Sequence, residues 1–349
     1  MTALDKTALK RLHSLFADAH EVVIATHTHP DGDALGSSLG LRNFLESLGK
    51  KATVLLPDPV PDTLAFIPSG KDRENIIICS ENCEKCREAA ASCDLIVCLD
   101  FNHPRRGEGL ESIITGAGCT KILIDHHQDP ARELFDLVFS ECEISSASEL
   151  LYHILLTCPG IDGDASRLPM ATAEDLLTGM TTDTNNFANS VYPSTFTMAS
   201  ELIAAGVDRD RILSDIYNNY REERFRALGH LLLNKLTITD DGVAYMVLTA
   251  EEIRRFDIQE GDTEAFVNQP LGMAKVRMSI FLKEQADYFR VSIRSKKGTS
   301  ANRCSHLYFN GGGHEQASGG RLFIGKDIQA PEEAPAYIET VTHKFLSNE

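Results

Sequence analysis

Several apolar segments of this chain end abruptly in acids and histidines. Residues 21–26 (EVVIAT) run into His27-Thr28-His29-Pro30-Asp31-Gly32-Asp33, residues 95–99 (LIVCL) into Asp100, and the KILI stretch into Asp125-His126-His127. A fourth acidic segment, Thr181-Thr182-Asp183-Thr184, follows the helix-like residues 173–180. If these segments meet, several carboxylates share a small volume, and like charges a few ångströms apart drive one another toward protonation. Divalent cations resolve that conflict, and a mixture of carboxylate and imidazole suits Mn2+, Mg2+, Zn2+ or Fe2+ better than Ca2+. Two such ions roughly 3.5–4 Å apart serve hydrolysis of a phosphoester by activating a water and stabilising charge on phosphoryl oxygens. A lone Asp at a strand end is more often a helix cap or turn residue; four such segments in one chain point to a site. Gly32, between Asp31 and Asp33, permits a tight turn that can aim two carboxylates at different metals.

The elements that must position these residues follow from periodicity. Residues 5–19 show helical spacing at Leu9, Leu12, Leu15 and Phe16. A second helix is predicted over about 33–48, with Leu35, Leu39, Phe44, Leu45 and Leu48 on its apolar positions and Gly49 closing it. Strand-like runs at 21–26, 52–56, 95–99 and 122–124 alternate with helical or turn-rich stretches, the pattern of βαβ units and a parallel α/β sheet. Their uniform apolarity predicts helices on both faces, and ligands in such sheets bind beyond the carboxyl ends of the strands. After about residue 195 the pattern changes. Residues 197–235 read as two helices, and strands recur at 243–249, 276–282, 288–295 and 321–324. Alternation across 277–281 and 290–294 predicts half-exposed strands in a separate mixed sheet. The expected layout is a first domain over 1–195, a helical linker over 196–228, and a smaller α/β domain over 229–349.

Composition narrows the partners. The 349 residues carry 34 Lys+Arg against 51 Asp+Glu, a formal net charge of −17. That balance argues against coating long nucleic acid, which needs clustered Lys and Arg, but not against a short anionic substrate held through metal ions. The nine cysteines are an odd number, and the opening MTALDKTALKRLHSLF has no apolar signal-peptide core. No apolar run approaches the roughly 18–20 residues of a membrane span. The expectation is a soluble cytoplasmic protein, with a homodimer compatible with everything read so far.

The segments His27-x-x-Pro30-Asp31-Gly32-Asp33-Ala34-Leu35-Gly36-Ser37, Asp100, Asp125-His126-His127 and Thr182-Asp183-Thr184 resemble the four motifs of the DHH phosphoesterase superfamily. Gly311-Gly312-Gly313-His314, with Ala317 and Gly319 behind it, resembles the glycine-rich signature of the associated DHHA1 domain. Length and layout resemble the nanoRNase/pAp-phosphatase branch. The resemblance implies a DHH domain, a DHHA1 domain and two divalent metal ions, Mn2+ first and Mg2+ second. It implies His27, Asp31 and Asp100 around one metal and Asp33, Asp100, His126 and Asp183 around the other, with Asp100 bridging. Asp100, His126 and His127 would be catalytic, His127 facing the substrate phosphate and Asp125 orienting its neighbours. Arg294, Ser295, Gly311, Gly312, Gly313 and His314 would grip the nucleotide's phosphate. The implied substrates are short oligonucleotides and 3′-phosphoadenosine 5′-phosphate (pAp). Asn310 stands where many relatives have a further glycine.

Other features have plainer readings. His29 and Ser37 read as loop and packing residues. Arg105 and Arg106 suit either a phosphate contact or an exposed loop. Cys83-x-x-Cys86, with Cys79 and Cys93 nearby, reads as free thiols rather than a zinc site. Lys296-Lys297 suits a hairpin turn or a phosphate, and Tyr308 and Phe309 are candidate base-stacking rings. The rival functions are a cyclic-dinucleotide or pApA phosphodiesterase, an exopolyphosphatase or pyrophosphatase, and a nucleotide-binding sensor without catalysis.

Overall fold

The structure, a computed structural model, describes residues 4–67, 70–218 and 220–347. Helix α1 (Lys6–Asp18) is capped by Asp5, whose carboxylate accepts from Thr7 N, and buries Leu9, Leu12 and Phe16. Then come β1 (Glu21–Ala25), α2 (Gly32–Ser47), β2 (Lys51–Leu56), β3 (Ile76–Ile78), α3 (Cys83–Ser92), β4 (Leu95–Leu99), α4 (Glu111–Gly116), β5 (Thr120–Asp125) and β6 (Leu137–Ser140). Among the described residues these strands form one parallel sheet in the order β3-β2-β1-β4-β5-β6. Alternate residues serve two cores. Val22, Ile24, Val54, Val97 and Ile122 pack with α1 and α2, while Val23, Ala25, Ile96, Cys98 and Leu123 pack with α3 and α4. A sheet covered on both faces is what makes these strands uniformly apolar.

The chain winds outward from β1 on one side and from β4 on the other, so the strand order reverses between them. Such a reversal opens a crevice at the carboxyl ends of the two strands. Thr26 Oγ1 closes its floor by donating to Leu99 O at 3.0 Å.

Helices α5 (Ala147–Leu156), α6 (Met170–Asp183), α7 (Pro193–Ala204) and α8 (Arg209–Tyr217) follow. A Cβ on Gly32 would lie 2.3 Å from Thr182 Oγ1, one on Gly36 2.5 Å from Asp175 O, and one on Gly40 3.0 Å from Leu176. Glycines four residues apart share a helix face, so this row lets α2 approach α6 nearly backbone to backbone. That approach brings the start of α2 to the end of α6.

The described chain divides into two compact units between residues 219 and 220. Residues 197–235 hold three helices rather than the two expected, the third being α9 (Glu222–His230). Gly206, at φ 107, follows the end of α7, and Asp208 caps α8 by accepting from Arg211 N. Met198, Leu202, Ile212 and Ile216 join the first unit's core, whereas Ala227 joins the second's.

In the second unit β7 (Thr237–Ile238), β8 (Val243–Leu248), α10 (Ala250–Arg255), β9 (Met278–Glu284), β10 (Tyr288–Ser295), α11 (Ala301–Tyr308), β11 (Gly312–Gly313), β12 (Ala317–Phe323) and α12 (Ala334–Leu346) follow α9. The sheet order is β11-β12-β10-β9-β8-β7, mixed because β8 and β9 pair in parallel and the other neighbours pair antiparallel. Burial alternates along β10 as the sequence predicts. Strand β9 departs from the expectation and is buried almost throughout. Its second face is covered by residues 266–272, with Phe266 packed edge-on against Phe281. Among the described residues no helix is long and apolar enough to cross a membrane.

Candidate functional site

The first group forms where β1 and β4 end side by side. His27 Nδ1 lies 2.8 Å from Thr28 O, and a carbonyl can only accept, so Nδ1 carries the proton and Nε2 is turned to the carboxylates. Nε2 is 3.3 Å from Asp100 Oδ2 and 3.9 Å from Asp31 Oδ2. Asp31 is the N-cap of α2: Oδ1 accepts from Asp33 N at 3.1 Å and Ala34 N at 3.0 Å. Its two oxygens thus have separate tasks. Asp100 sits in the left-handed region at φ 63, a strained backbone for a non-glycine residue, and is almost fully buried.

The second group gathers around His126, just past β5. Its Nε2 is 3.3 Å from Asp100 Oδ1, 3.8 Å from Asp183 Oδ2 and 4.0 Å from Asp33 Oδ2. Asp33 comes from the first turn of α2, and Asp183 is the last residue of α6, brought close by the glycine row. The N-terminus of α5 holds Asp33 from behind: Ala147 N donates to Oδ2 at 2.7 Å and Ser148 N to Oδ1 at 2.9 Å. That turn is fixed by Ser146, which caps α5, and by buried Glu149, which accepts from Ser145 N and Thr195 Oγ1.

The ligand atoms of His27, Asp31 and Asp100 all lie within 4.8 Å of one another, and so do those of Asp33, Asp100 and His126. Asp100 belongs to both groups. Burial, and then the charges of Asp100 and Asp183, hold the Asp33 carboxyl well above the usual range. Burial works against charge on His126, yet Asp100, Asp183 and Asp33 outweigh it and push the imidazole up to about 10. Burial likewise opposes charge on Asp100, but contact with His126 and His27 holds it well below the usual carboxylate range. Asp100 Oδ1 is buried, with His126 Nε2 at 3.3 Å. A buried carboxylate shared by two overlapping sets of carboxylate and imidazole fits divalent cations.

His127 differs from its neighbour. Its Nδ1 is 2.7 Å from Asp125 Oδ1 and its Nε2 3.1 Å from Arg106 Nη1. A guanidinium cannot accept a hydrogen bond, so Nε2 is the acceptor and Nδ1 donates to Asp125. Burial lowers the ring's pKa despite Asp125, so His127 is neutral, with a fixed tautomer. Replacing fully buried Asp125 by Asn should unlock that tautomer and lower turnover by about 10- to 100-fold, the usual cost of losing such an orienting partner. Steady-state kinetics and the imidazole 15N shifts of the variant test this; an unchanged tautomer together with unchanged turnover would remove Asp125 from the site. His29, at φ 52, is engaged elsewhere, donating its N–H to Asp58. Ser37 donates to its own helix at Asp33 O.

The glycine-rich loop belongs to the second unit. Gly312 and Gly313 form β11 and pair with Gly319 and Ser318 of β12. A Cβ on Gly311 would lie 1.9 Å from Gly319 O, and one on Gly313 2.7 Å from Ala317 O, so both are needed for packing within the sheet. Gly312 alone is open, with Asn302 Oδ1 the nearest atom at 3.6 Å. His314 closes the hairpin, its N–H donating to Ala317 O. Arg294 projects from the half-exposed face of β10 and donates to Ser318 O at 3.4 Å, beside Gly313's own partner. Ser295 points inward and donates to Thr299 O at 2.6 Å. Asn310 takes φ 49, and its side chain anchors the loop to Arg321 O and Asp327. Phe309 is fully buried in the core and offers no stacking surface. The thiols are free, with Cys79 and Cys86 buried, and cysteines form no metal-ligating group among the described residues.

One contributor was not legible in the sequence, and another was legible only in part. The turn Ser145-Ser146-Ala147-Ser148-Glu149 carries Asp33, and its signal is the capping pattern Ser146-x-x-Glu149. Arg106 was legible as a cation after a strand, but nothing in its spacing named His127 as its partner.

Known proteins are similar to this chain in sequence and fold. The model of the DHH family, N-terminal domain, matches residues 21–180. The "Bifunctional oligoribonuclease and PAP phosphatase NrnA" of Thermus thermophilus is 32% identical over 305 residues, covering 86% of this chain and 84% of that protein. The crystal structure of an exopolyphosphatase-related protein from Bacteroides fragilis superposes with a TM-score of 0.90 at 35% identity, covering 99% of this chain and 98% of that one. RecJ of Thermus thermophilus, in complex with Mn2+, superposes at 0.57 and 14% identity over all of this chain and 56% of that one, a likeness of fold. The chain belongs to the DHH family of phosphoesterases, in its NrnA-like branch.

Proposed function

We propose that this protein hydrolyses phosphoesters in short oligoribonucleotides and removes the 3′-phosphate of pAp. The observation that carries the reading is the pair of ligand groups sharing Asp100. When bound there, two divalent cations, Mn2+ or Mg2+, supply a water of lowered pKa and stabilise charge on the phosphoryl oxygens. His27, Asp31 and Asp100 hold one cation; Asp33, Asp100, His126 and Asp183 hold the other. His127, kept neutral and oriented by Asp125, presents imidazole to the substrate phosphate. In the second domain Arg294, the open backbone at Gly312 and His314 take a terminal phosphate of the substrate. Ser295 supports this hairpin through its backbone N–H, which donates to Gln316 O, while its hydroxyl donates to Thr299 O rather than to substrate.

The test is a substrate panel. With Mn2+, the purified chain is expected to release AMP from pAp and mononucleotides from di- to pentaribonucleotides. Polyphosphate belongs in the panel because the Bacteroides fragilis protein is described as exopolyphosphatase-related. Turnover of polyphosphate or pyrophosphate with none of pAp or oligoribonucleotides would overturn the proposal.

A further inference from the structure

We infer that Arg106 is the substrate clamp of the metal centre: its guanidinium holds a non-bridging oxygen of the scissile phosphate, and His127 is only its resting partner. This inference rests on the phosphoesterase reading above and adds a residue to it.

The backbone of Arg106 is pinned whatever its side chain. Arg106 lies on the turn Pro104–Leu110 after β4, where its N–H donates to His103 O at 3.0 Å and its carbonyl accepts from Thr28 N at 2.8 Å. The segment after β4 is thereby tied to the segment after β1, beside the metal ligand His27. The half-buried side chain then reaches His127 Nε2. The guanidinium therefore stands beside His127 on a backbone tied to the segment that carries His27.

Its pairing is unusual. Asp31, Asp33, Asp100, Asp125 and Asp183 crowd this crevice, yet among the described residues no carboxylate lies within 4.0 Å of an Arg106 nitrogen. Arg106 instead spends one of its five N–H groups on a neutral imidazole, a weaker partner than an anion. Arg105, by contrast, is exposed.

Two divalent cations and the Arg106 guanidinium together balance Asp31, Asp33, Asp100, Asp125 and Asp183, so a bound phosphate brings charge to an otherwise neutral centre. A phosphoryl group adds negative charge, and more gathers on its equatorial oxygens in the transition state. A planar fork of N–H donors fits two such oxygens better than a point charge does. Moving from His127 Nε2 to phosphate needs only a swing of the side chain, since the main chain is fixed.

Three measurements test the clamp. Arg106→Ala is expected to lower kcat/KM on pAp by about 10²- to 10³-fold, the range for one preorganised donor. Arg106→Gln keeps an N–H donor for His127 without the charge, and is expected to be as poor as Ala. Added guanidinium ion is expected to restore the Ala variant at least in part and to leave the wild type unimproved. Mn2+ titration by calorimetry, with no substrate present, is expected to match the wild type in both variants. The inference falls if either variant keeps kcat/KM within about threefold of wild type, if Gln restores activity, if guanidinium fails to rescue, or if Mn2+ affinity drops with activity. A wild type that hydrolyses no phosphoester would sink the functional reading as well; an active wild type with indifferent variants removes the clamp alone.

Discussion

Replacing Asp100 by Asn is expected to abolish turnover while leaving the fold intact. Asp100 contributes to both ligand groups, so the loss of its charge weakens the hold on both cations at once. Removing several kcal/mol of transition-state stabilisation corresponds to about a 10³-fold fall or more in kcat. The backbone should accept the change: φ is 63, and Asn, like Asp, visits the left-handed region readily for a non-glycine residue. Asp100→Ala should lose as much activity and some stability besides, because Ala lacks that tolerance. Circular dichroism melting and Mn2+ calorimetry separate the two effects. Activity of Asp100→Asn within about tenfold of the wild type would exclude a bridging role.

Gly179→Val is expected to be the most damaging substitution away from the ligands. A Cβ at Gly179 would lie 2.1 Å from Ser148 Oγ and 3.1 Å from Asp33 Oδ1, and Gly36 of α2 already leans on Gly179's own backbone. The added methyls must push α6 from α2 and α5, an overpacking cost of about 3 kcal/mol. For a unit of this size that is a fall of roughly 6–12 °C in melting temperature. The same displacement separates Asp183 from Asp33, so Mn2+ affinity should fall with stability. Gly229→Ala is the control. It lies inside α9 with no atom within 4 Å of its Cβ position, and should stabilise by about 0.5–1 kcal/mol through helix propensity. A Gly179→Val protein that melts with the wild type would show that the helices have room the geometry denies them.

The ends of β1, β4 and β5 were legible because each is an uninterrupted apolar run followed at once by His or Asp. A parallel sheet leaves only one place for such residues to point. Strand β6 was missed because Leu137–Ser140 is short, with alternate residues half-exposed, at the sheet's edge. Strand β9 misled because its alternation of polar and apolar residues hides a second cover supplied by residues 266–272, far from it in pattern if not in number. The glycine row on α2 carries no signal of its own in the sequence beyond Gly32's turn. Its purpose is visible only once α6 lies against it. Arg106 shows the same limit: a sequence states that a cation follows a strand, whereas its partner is a fact of three dimensions.

The neighbouring of β1 and β4 also bears on time. His27 and Asp100 are 73 residues apart in sequence, and Asp33 rests on backbone N–H groups 114 and 115 residues further along. Closing such separations is slow compared with forming a helix or a hairpin, because loop entropy is lost before the contacts reward it. The strands up to β3 can associate early, but they enclose no centre. Only when β4 has entered beside β1, β5 has joined it, and α5 and α6 have docked does the crevice gain its full set of ligands. Hydrolytic competence is therefore among the last properties the chain acquires as it folds.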